Sequence, residues 1–179
     1  QTSENAVWAY EAPFDEMTAI NLQNYCAFYW NRVDHWFEEN EEVFVHPRDP
    51  RKRIDTIPSS RSVKIMLNEE VVAETSHAHF LFETGMPTRY YIAAEDVRMD
   101  LLRPSSQQTR CPYKGIASYW TATVGGQEFE DIVWSYPDPV PECPKIKRLL
   151  CFFNEQVDAI FVDGKEIEKP VTKWAKKYT

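Results

Sequence analysis

The stretch Ser118-Tyr-Trp-Thr-Ala-Thr-Val-Gly-Gly-Gln-Glu-Phe-Glu-Asp-Ile-Val-Trp-Ser135 has β-forming runs on both sides of a glycine pair. Valine, threonine and aromatic side chains favour extended backbone, and Gly125-Gly126 supplies the positive φ angles that a two-residue hairpin turn needs. The pattern therefore predicts an antiparallel hairpin over residues 118–135.

Six further stretches have the same β-rich or alternating character, and turn signals such as Asp163-Gly164 separate them. They cover residues 62–67, 70–75, 77–83, 89–92, 149–153 and 159–162. Helix is scarce, since only residues 14–23 and 141–149 offer a few helical turns, and residues 93–99 one more turn. We therefore expect a mainly β fold, a small closed or sandwiched antiparallel sheet of about eight short strands with one or two short helices.

Composition limits the classes of partner. The 179 residues suffice for one domain, or for one domain with a partial second. A formal net charge of −8 argues against general affinity for nucleic acid or anionic membranes. The longest apolar run, residues 25–30, is far shorter than the roughly 20 residues of a membrane helix. Four cysteines without CxxC spacing and the lack of an Asn-x-Ser/Thr acceptor favour a reduced, cytoplasmic setting.

The beginning of the chain resembles a later segment. Ala6-Val-Trp-Ala-Tyr-Glu-Ala-Pro13 matches Ile132-Val-Trp-Ser-Tyr-Pro-Asp-Pro139 at an offset of 126 residues. Ala27-Phe-Tyr-Trp-Asn-Arg-Val-Asp34 then matches Cys151-Phe-Phe-Asn-Glu-Gln-Val-Asp158 at an offset of 124. The match predicts that the chain begins with the C-terminal third of a second copy of one domain.

This repeat, together with a polar, proline-punctuated segment that follows it, predicts the domain organisation. The basic run Arg48-Asp-Pro-Arg-Lys-Arg53 within that segment is typical of a solvated face. The predicted parts are a partial repeat packing on the main domain at 1–38, a linker at 39–61, a main β domain at 62–168 and a C-terminal tail at 169–179.

Four motifs between Leu81 and Pro139 resemble the domain of unknown function 427 family, which is also described as nucleotidyltransferase-like. They are Leu81-Phe-Glu-Thr-Gly-Met-Pro-Thr-Arg-Tyr-Tyr91, Glu95-Asp-Val-Arg-Met-Asp-Leu-Leu102, Cys111-Pro-Tyr-Lys-Gly115 and Trp134-Ser-Tyr-Pro-Asp-Pro139. The resemblance covers about residues 62–168. It implies a small, mainly β fold and tandem copies, but no activity, because a glycine-rich phosphate loop and paired metal-binding carboxylates are both missing from the sequence.

Charged and aromatic residues of these motifs are candidates for a ligand site. Lysine and arginine suit anionic groups, phenols donate hydrogen bonds, and a desolvated carboxylate can act as a base. We predict catalytic roles for Glu83, Lys114 and Tyr113, and ligand-binding roles for Arg89, Arg98, Tyr119 and Trp134. The structural alternative pairs Arg98 with Asp100, pairs Glu83 with Arg89 or Arg98, and places the aromatic rings in the core.

Two other residue patterns carry weaker hypotheses. Cys111 has no histidine near it in sequence, so a small buried thiol is favoured over a nucleophile. His77-Ala-His-Phe-Leu-Phe-Glu83 has the HxHxxxE form of the first cupin motif, and strand alternation would place His77, His79 and Glu83 on one face. The glycine expected before this pair and a second cupin motif are missing, so we expect no metal or other cofactor and keep this triad as the alternative.

The leading functional hypothesis is a cytoplasmic pocket protein that binds a small anionic or carbonyl-bearing molecule. Acid–base chemistry of the lyase or isomerase type is the enzymatic form of this hypothesis, and no single reaction is assigned. The alternatives are a non-catalytic interaction or structural module and a cupin-like metal-dependent enzyme. The expected partner is a small-molecule ligand rather than nucleic acid or a membrane, and the sequence leaves the oligomeric state open.

Overall fold

The computed structural model describes residues 2–10, 22, 25–173 and 175, which fall into two units, Gln1–Pro47 and Arg48–Thr179. We call them the N-terminal unit and the C-terminal unit. Within the described part of the chain, no helix is long and apolar enough to cross a membrane. The helical segments there are 3-10 turns at Trp30–Arg32, Ala94–Asp96, Met99–Leu101 and Pro144–Ile146.

The N-terminal unit contains two small antiparallel pairs of strands in its described residues. The strands are β1 (Val7–Ala9), β2 (Cys26–Phe28), β3 (Phe37–Glu38) and β4 (Glu41–Glu42). β1 pairs with β2, and β3 pairs with β4.

The C-terminal unit consists of two antiparallel sheets. Its strands are β5 (Ile54–Pro58), β6 (Val63–Leu67), β7 (Glu70–Thr75), β8 (His79–Glu83), β9 (Arg89–Ile92), β10 (Leu102–Cys111), β11 (Gly115–Val124), β12 (Gln127–Ser135), β13 (Leu150–Phe152), β14 (Ala159–Val162) and β15 (Lys165–Glu166). The larger sheet has seven strands in the order β10-β11-β12-β13-β9-β8-β5, and the smaller has four in the order β15-β14-β6-β7.

The predicted hairpin forms the β11–β12 pair. Val124 lies opposite Gln127, and φ is +56° at Gly125 and +80° at Gly126. Positive φ at both central residues is the signature of the type I′ turn, whose twist matches that of the flanking strands. The two-residue turn predicted from the glycine pair is therefore confirmed.

Alternate residues of the large sheet face two different sets of buried side chains. On one face, Phe80, Val133 and Phe152 pack with residues of the four-stranded sheet such as Ile65, and this is the main core. Burying an aliphatic or aromatic side chain of this size contributes roughly 1.5–3 kcal/mol. The two sheets therefore form a sandwich around this core.

The opposite face of the large sheet carries a second buried cluster that includes Leu81, Tyr91, Ala117 and Trp134. Leu81 lies on β8 and Ala117 on β11, four strand steps apart in the sheet order. Four steps in a flat sheet would span roughly 19 Å. Lys114, in the turn before β11, nevertheless forms an ion pair with Glu83 at the end of β8. The large sheet therefore curls strongly, with the second cluster on its concave face.

The two predicted copies share one pattern of strand pairing. Val7 lies opposite Phe28 on β1 and β2, just as Val133 lies opposite Phe152 on β12 and β13. All three pairs of the β1–β2 ladder map onto the β12–β13 ladder at the offsets of 126 and 124 residues. The β3–β4 pairing maps in the same way onto β14–β15 at the offset of 124. The correspondence thus continues beyond residue 38, to the end of β4.

The mainly β class and all eight predicted strands are confirmed, but the sheets are not closed, so the sandwiched form is the one observed. Two strands of the large sheet escaped the sequence pattern. β10 is polar, mostly exposed and interrupted by Pro104, as an edge strand can be. The predicted helix at 141–149 is only a 3-10 turn, and the one at 14–23 lies outside the described residues except for Leu22.

The predicted linker at 39–61 is wrong for its second half. Ile54–Pro58 forms β5, whose five residues all pair with β8. The basic run before β5 also belongs to the C-terminal unit, since Arg48 forms an ion pair with Glu142. In the predicted tail, Thr172 donates a 2.6 Å hydrogen bond to Glu155. The sequence pattern did not predict β5, because an edge strand buries few side chains and can therefore have the polar composition of a linker.

Candidate functional site

Glu83 is the centre of a charged cluster that we call the Lys52–Glu83–Lys114 cluster. It is the last residue of β8 and lies opposite Ile54 of β5. Lys114 donates a short hydrogen bond to Glu83 Oε2, and Lys52 Nζ lies 3.1 Å from Oε1. The Glu83 side chain is 8 % exposed and that of Lys52 is 28 % exposed. One nearly buried carboxylate therefore binds two ammonium groups.

The tight turn between β10 and β11 positions Lys114. Cys111 lies opposite Gly115 across this turn, and Gly115 has a φ of +103°. A Cβ on Gly115 would lie 3.3 Å from the backbone oxygen of Asp138. The glycine is therefore required both for the backbone angle and for the close approach of the segment at 138–140. This explains the glycine of the Cys-Pro-Tyr-Lys-Gly motif in terms of structure.

Tyr113 links the cluster to the segment before β5. Its hydroxyl oxygen accepts a 2.8 Å hydrogen bond from the backbone N–H of Asp49. The ammonium of Lys52 lies 5.0 Å from the centre of the Tyr113 ring, which is within the range of a cation–π interaction. The structure thus brings Tyr113 next to the cluster, with its hydroxyl engaged by the main chain.

The electrostatics of the cluster favour the charged forms of Glu83 and Lys52. Burial disfavours the charge of Glu83, but Lys114 and then Lys52 outweigh it and lower the pKa of the carboxyl below its ordinary value. Burial also opposes the charge of Lys52, yet Glu83 raises the pKa of this ammonium. Because a base becomes weaker as its pKa falls, this environment works against the predicted role of Glu83 as a general base near neutral pH.

Tyr136 and Cys143, two polar groups near the cluster, stay protonated. Burial raises the pKa of the Tyr136 phenol well above its usual range. Burial also raises the pKa of the Cys143 thiol, whose sulfur lies 3.6 Å from the Thr56 hydroxyl. Neither group brings a negative charge to the site at neutral pH. The two ammonium groups and one carboxylate therefore leave one positive charge in excess.

Arg89, predicted as a ligand anchor, is instead bound within the protein. Its guanidinium donates two 2.7 Å hydrogen bonds to the two carboxylate oxygens of Glu155 and a 3.2 Å bond to Asn154 Oδ1. It also lies 5.5 Å from the Trp134 ring centre. Burial opposes the charge, but the Glu155 hydrogen bonds raise the pKa of Arg89 overall. The predicted Glu83–Arg89 pairing is therefore wrong, and Arg89 belongs to a separate buried ion pair.

Trp134 is part of the second buried cluster rather than the wall of an open site. Its indole N–H donates a 3.1 Å hydrogen bond to the hydroxyl of Tyr91, and its ring lies 4.5 Å from that of Phe153. The side chain is 7 % exposed. The structure therefore agrees with the alternative prediction, in which the Trp134 ring lies in the core.

The remaining two candidates do not meet at the cluster. Arg98 is exposed and donates two hydrogen bonds, of 2.8 and 2.6 Å, to Asp100, which matches the structural alternative. Tyr119 lies on β11, and its hydroxyl is 2.8 Å from that of Thr109. Of the seven predicted site residues, the structure therefore brings together Glu83, Lys114 and Tyr113.

The alternative metal triad is not assembled. His77 precedes β8 and lies 3.3 Å from the Ser76 hydroxyl, while His79 lies within the strand. The carboxylate of Glu83 is bound by two lysines. Across the described residues, no three histidine, cysteine, aspartate or glutamate side chains are grouped closely enough to hold a metal ion. Strand alternation did not place the three side chains on one face, because the strand begins at His79 and leaves His77 outside it.

Comparison with protein families agrees with the motifs. The model of a family described as Domain of unknown function (DUF427) matches residues 1–39 and 55–163. The chain belongs to this family. The two matched segments correspond to the predicted partial copy and to most of the main domain. No curated protein matches the sequence significantly.

Sequence reasoning missed Lys52 and Glu155. Lys52 stands in the basic run that was interpreted as a solvated linker face, and it lies outside both segments that match the domain of unknown function 427 family. Glu155 follows β13 in a 3-10-like turn, where Gln156 N–H bonds Phe153 O. Glu155 binds Arg89, 66 residues away in the sequence, so no local pattern pointed to Glu155 or to Lys52.

Proposed function

We propose that the C-terminal unit binds a small anionic or carbonyl-bearing molecule at the Lys52–Glu83–Lys114 cluster. The observation that carries the proposal is the charge imbalance, because two ammonium groups share one nearly buried carboxylate. Two unit charges about 4 Å apart interact by about 4 kcal/mol near a protein surface. A carboxylate or phosphate entering beside Lys52 would therefore gain from the excess charge.

Lys52 is the group through which a ligand would reach the cluster. It is the most exposed of the three side chains, and the ring of Tyr113 lies against its ammonium. An anion can take one of its three N–H donors while another stays on Glu83. Lys114 is more deeply buried and would hold the carbonyl or carboxylate of the ligand from within.

Any acid–base step on the bound molecule would use protonated donors at this site. Lys114 and the phenol of Tyr136 are the candidates, since burial keeps Tyr136 protonated. Glu83 would hold the lysines in place and balance one of their charges. A lyase- or isomerase-type reaction that begins by polarising a carbonyl group fits these groups best.

The second candidate is a non-catalytic structural or interaction module. The observation in its favour is that Arg89 and Trp134, two of the predicted ligand contacts, are buried and bind Glu155 and Tyr91. A cytoplasmic, reducing location is part of both proposals and is supported by the four cysteines, all of which are free. Descent of the N-terminal unit from a second domain copy is supported by the shared pairing registers.

The test of the leading proposal is ligand binding measured by titration calorimetry. Wild-type protein, Lys114→Met and Lys52→Met are titrated with a set of small carboxylates, 2-oxo acids and phosphate monoesters. Lys147→Met is the matched control, because Lys147 pairs with the exposed Asp138. We expect at least a tenfold loss of affinity in Lys114→Met, a smaller loss in Lys52→Met and none in the control. Equal affinity in all four proteins, or no binding of any member of the set, would favour the structural module.

A further inference from the structure

Tyr136 carries a buried hydroxyl group that the protein itself does not bind. The residue is 5 % exposed. Among the described residues, no group forms a hydrogen bond with its hydroxyl. The hydroxyl oxygen is nevertheless not fully enclosed, so it borders space that is open to solvent. Buried polar groups of native proteins usually have a partner, so one that lacks a partner and stays accessible indicates a contact with a ligand.

Two other phenols on the same face of the large sheet are engaged. The Tyr91 hydroxyl accepts a 3.1 Å hydrogen bond from the indole N–H of Trp134. Tyr119 packs against the second buried cluster, and its hydroxyl is 2.8 Å from that of Thr109. Tyr136 differs from both, because its hydroxyl remains free to donate a hydrogen bond.

Tyr136 lies on the same face of the sheet as the Lys52–Glu83–Lys114 cluster. Its side chain packs in the second buried cluster together with Leu81 of β8. Leu81 and Glu83 are two residues apart on this strand, so their side chains point to the same, concave face. The segment after Tyr136 runs beside Lys114, since the Val140 N–H donates a 3.2 Å hydrogen bond to the Lys114 carbonyl oxygen. The free phenol and the charged cluster therefore border one region.

The two parts of this region suit different chemical groups. The charged cluster has one positive charge in excess and suits an anion. The Tyr136 phenol stays neutral, because burial raises its pKa, and its O–H suits an uncharged carbonyl oxygen. A ligand hydroxyl fits less well, since it brings a proton of its own and the Glu83 carboxylate on this face already binds both lysines.

We propose that the ligand is an oxo acid, a molecule that combines a carboxylate with a carbonyl group. Its carboxylate binds Lys52 and Lys114, and its carbonyl oxygen accepts a hydrogen bond from Tyr136. This inference rests on the ligand site proposed above and narrows the class of its ligand. A plain carboxylate would leave the phenol unpaired, and a site built to hydrogen-bond one group of a ligand rejects the analogue that lacks it. Tyr136 is thus the residue that determines specificity.

The experiment measures the preference for oxo acids by titration calorimetry. Two pairs of ligands differ only in the carbonyl group, 2-oxobutanoate with butanoate and 4-oxopentanoate with pentanoate. Wild-type protein should bind the oxo acid of at least one pair roughly tenfold or more tightly than the plain carboxylate. In Tyr136→Phe this ratio should fall to about one, while the affinity for the plain carboxylate stays within about twofold of the wild-type value.

Tyr90→Phe is the matched control. Tyr90 is 7 % exposed, and its hydroxyl also has no hydrogen-bond partner among the described residues, but its ring lies in the main core on the other face of the large sheet. The preference for the oxo acid should therefore persist in this variant. The melting temperature is a second measurement. Because Tyr136→Phe removes no hydrogen bond within the protein, its melting temperature should equal or exceed that of the wild type.

The possible failures are distinguishable. Equal affinity of the wild type for both members of each pair, or a preference that Tyr136→Phe retains, would overturn this inference and leave the anion site in place. A preference lost equally in Tyr90→Phe would also overturn it. A lowered melting temperature of Tyr136→Phe, with weaker binding of the plain carboxylates, would assign the hydroxyl to the fold instead. If none of the four acids binds to the wild type, the proposed ligand site is wrong, and this inference is wrong with it.

Discussion

The C-terminal unit contains two buried charged groups that differ in charge balance. In the Arg89–Glu155 pair, one cation meets one anion in two 2.7 Å hydrogen bonds. Arg89 also donates a bond to Asn154, and Thr172 donates one to Glu155. In the Lys52–Glu83–Lys114 cluster, two cations meet one anion. The charges of the first group balance one another, whereas the second group has one positive charge in excess, which supports the ligand site that we propose there. Charge balance, more than burial, thus separates a structural ion pair from a candidate binding site.

The largest expected effect is on the balanced pair. Glu155→Ala would leave the guanidinium of Arg89 buried without its counter-charge, and loss of one partner of such a pair costs about 3–5 kcal/mol of stability. Urea unfolding should show a decrease of this size in the free energy of unfolding. The double variant Arg89→Met/Glu155→Leu is the control, and it should recover most of the loss because both charges are gone. A single variant as stable as the wild type would mean that the pair is not buried in solution.

A smaller effect, with a defined pH dependence, is expected for the unbalanced cluster. Glu83→Gln keeps the shape but leaves two ammonium groups without a carboxylate, and hydrogen bonds to charged groups contribute about 1.5–3 kcal/mol. Because the pKa of Glu83 is lowered in the folded state, its stabilisation is present above the unfolded pKa of about 4.3 and is lost as the pH falls through the folded value.

Unfolding of wild-type protein and Glu83→Gln between pH 7 and pH 2 measures this difference. The gap in free energy of unfolding should be constant above about pH 5 and should close at lower pH. A gap that stays constant down to pH 2 would show that the effect of the substitution does not come from the carboxylate charge. At neutral pH, the same variant should bind anions more tightly, because the excess positive charge has increased.

The smallest effect is expected at the exposed pair of Arg98 and Asp100. Solvent screens such pairs, and holding two long side chains together costs entropy. Arg98→Ala should therefore change neither the melting temperature nor the affinity for any anion that binds at Lys114. Loss of anion binding in this variant would restore the predicted ligand role of Arg98 and weaken the distinction based on charge balance.

The fold was largely predictable because its signals are local. Alternating residues and the turn signals at Gly125-Gly126 and Asp163-Gly164 located eight strands, and the repeated Trp-x-Tyr segments anticipated the shared register of β1–β2 and β12–β13. β5 and β10 escaped because edge strands bury few side chains and can be polar. The helix predicted at 141–149 is wrong, because packing of Cys143 and Ile146 in the second buried cluster sets the backbone of this segment.

The site was only partly predictable because its contacts are long-range. Glu83 and Lys114 stood out as charged residues in motifs rich in aromatic residues and proline, but their pairing did not. Arg89 was assigned to a ligand because its partner Glu155 lies 66 residues away in the sequence. Lys52 was assigned to solvent because its neighbours are polar. In each case the residue type indicated a polar role, but the sequence did not reveal which residue the side chain binds.

The sequence by itself determined eight of the strands, the Gly125-Gly126 hairpin turn and the family, since each depends on residues close together in the chain. The tertiary structure alone decided which charges meet. Sheet order places β8 four strand steps from β11, and only the curl of the sheet brings Glu83 within reach of Lys114. Curvature arises from the packing of both faces at once, so no local pattern of residues specifies it.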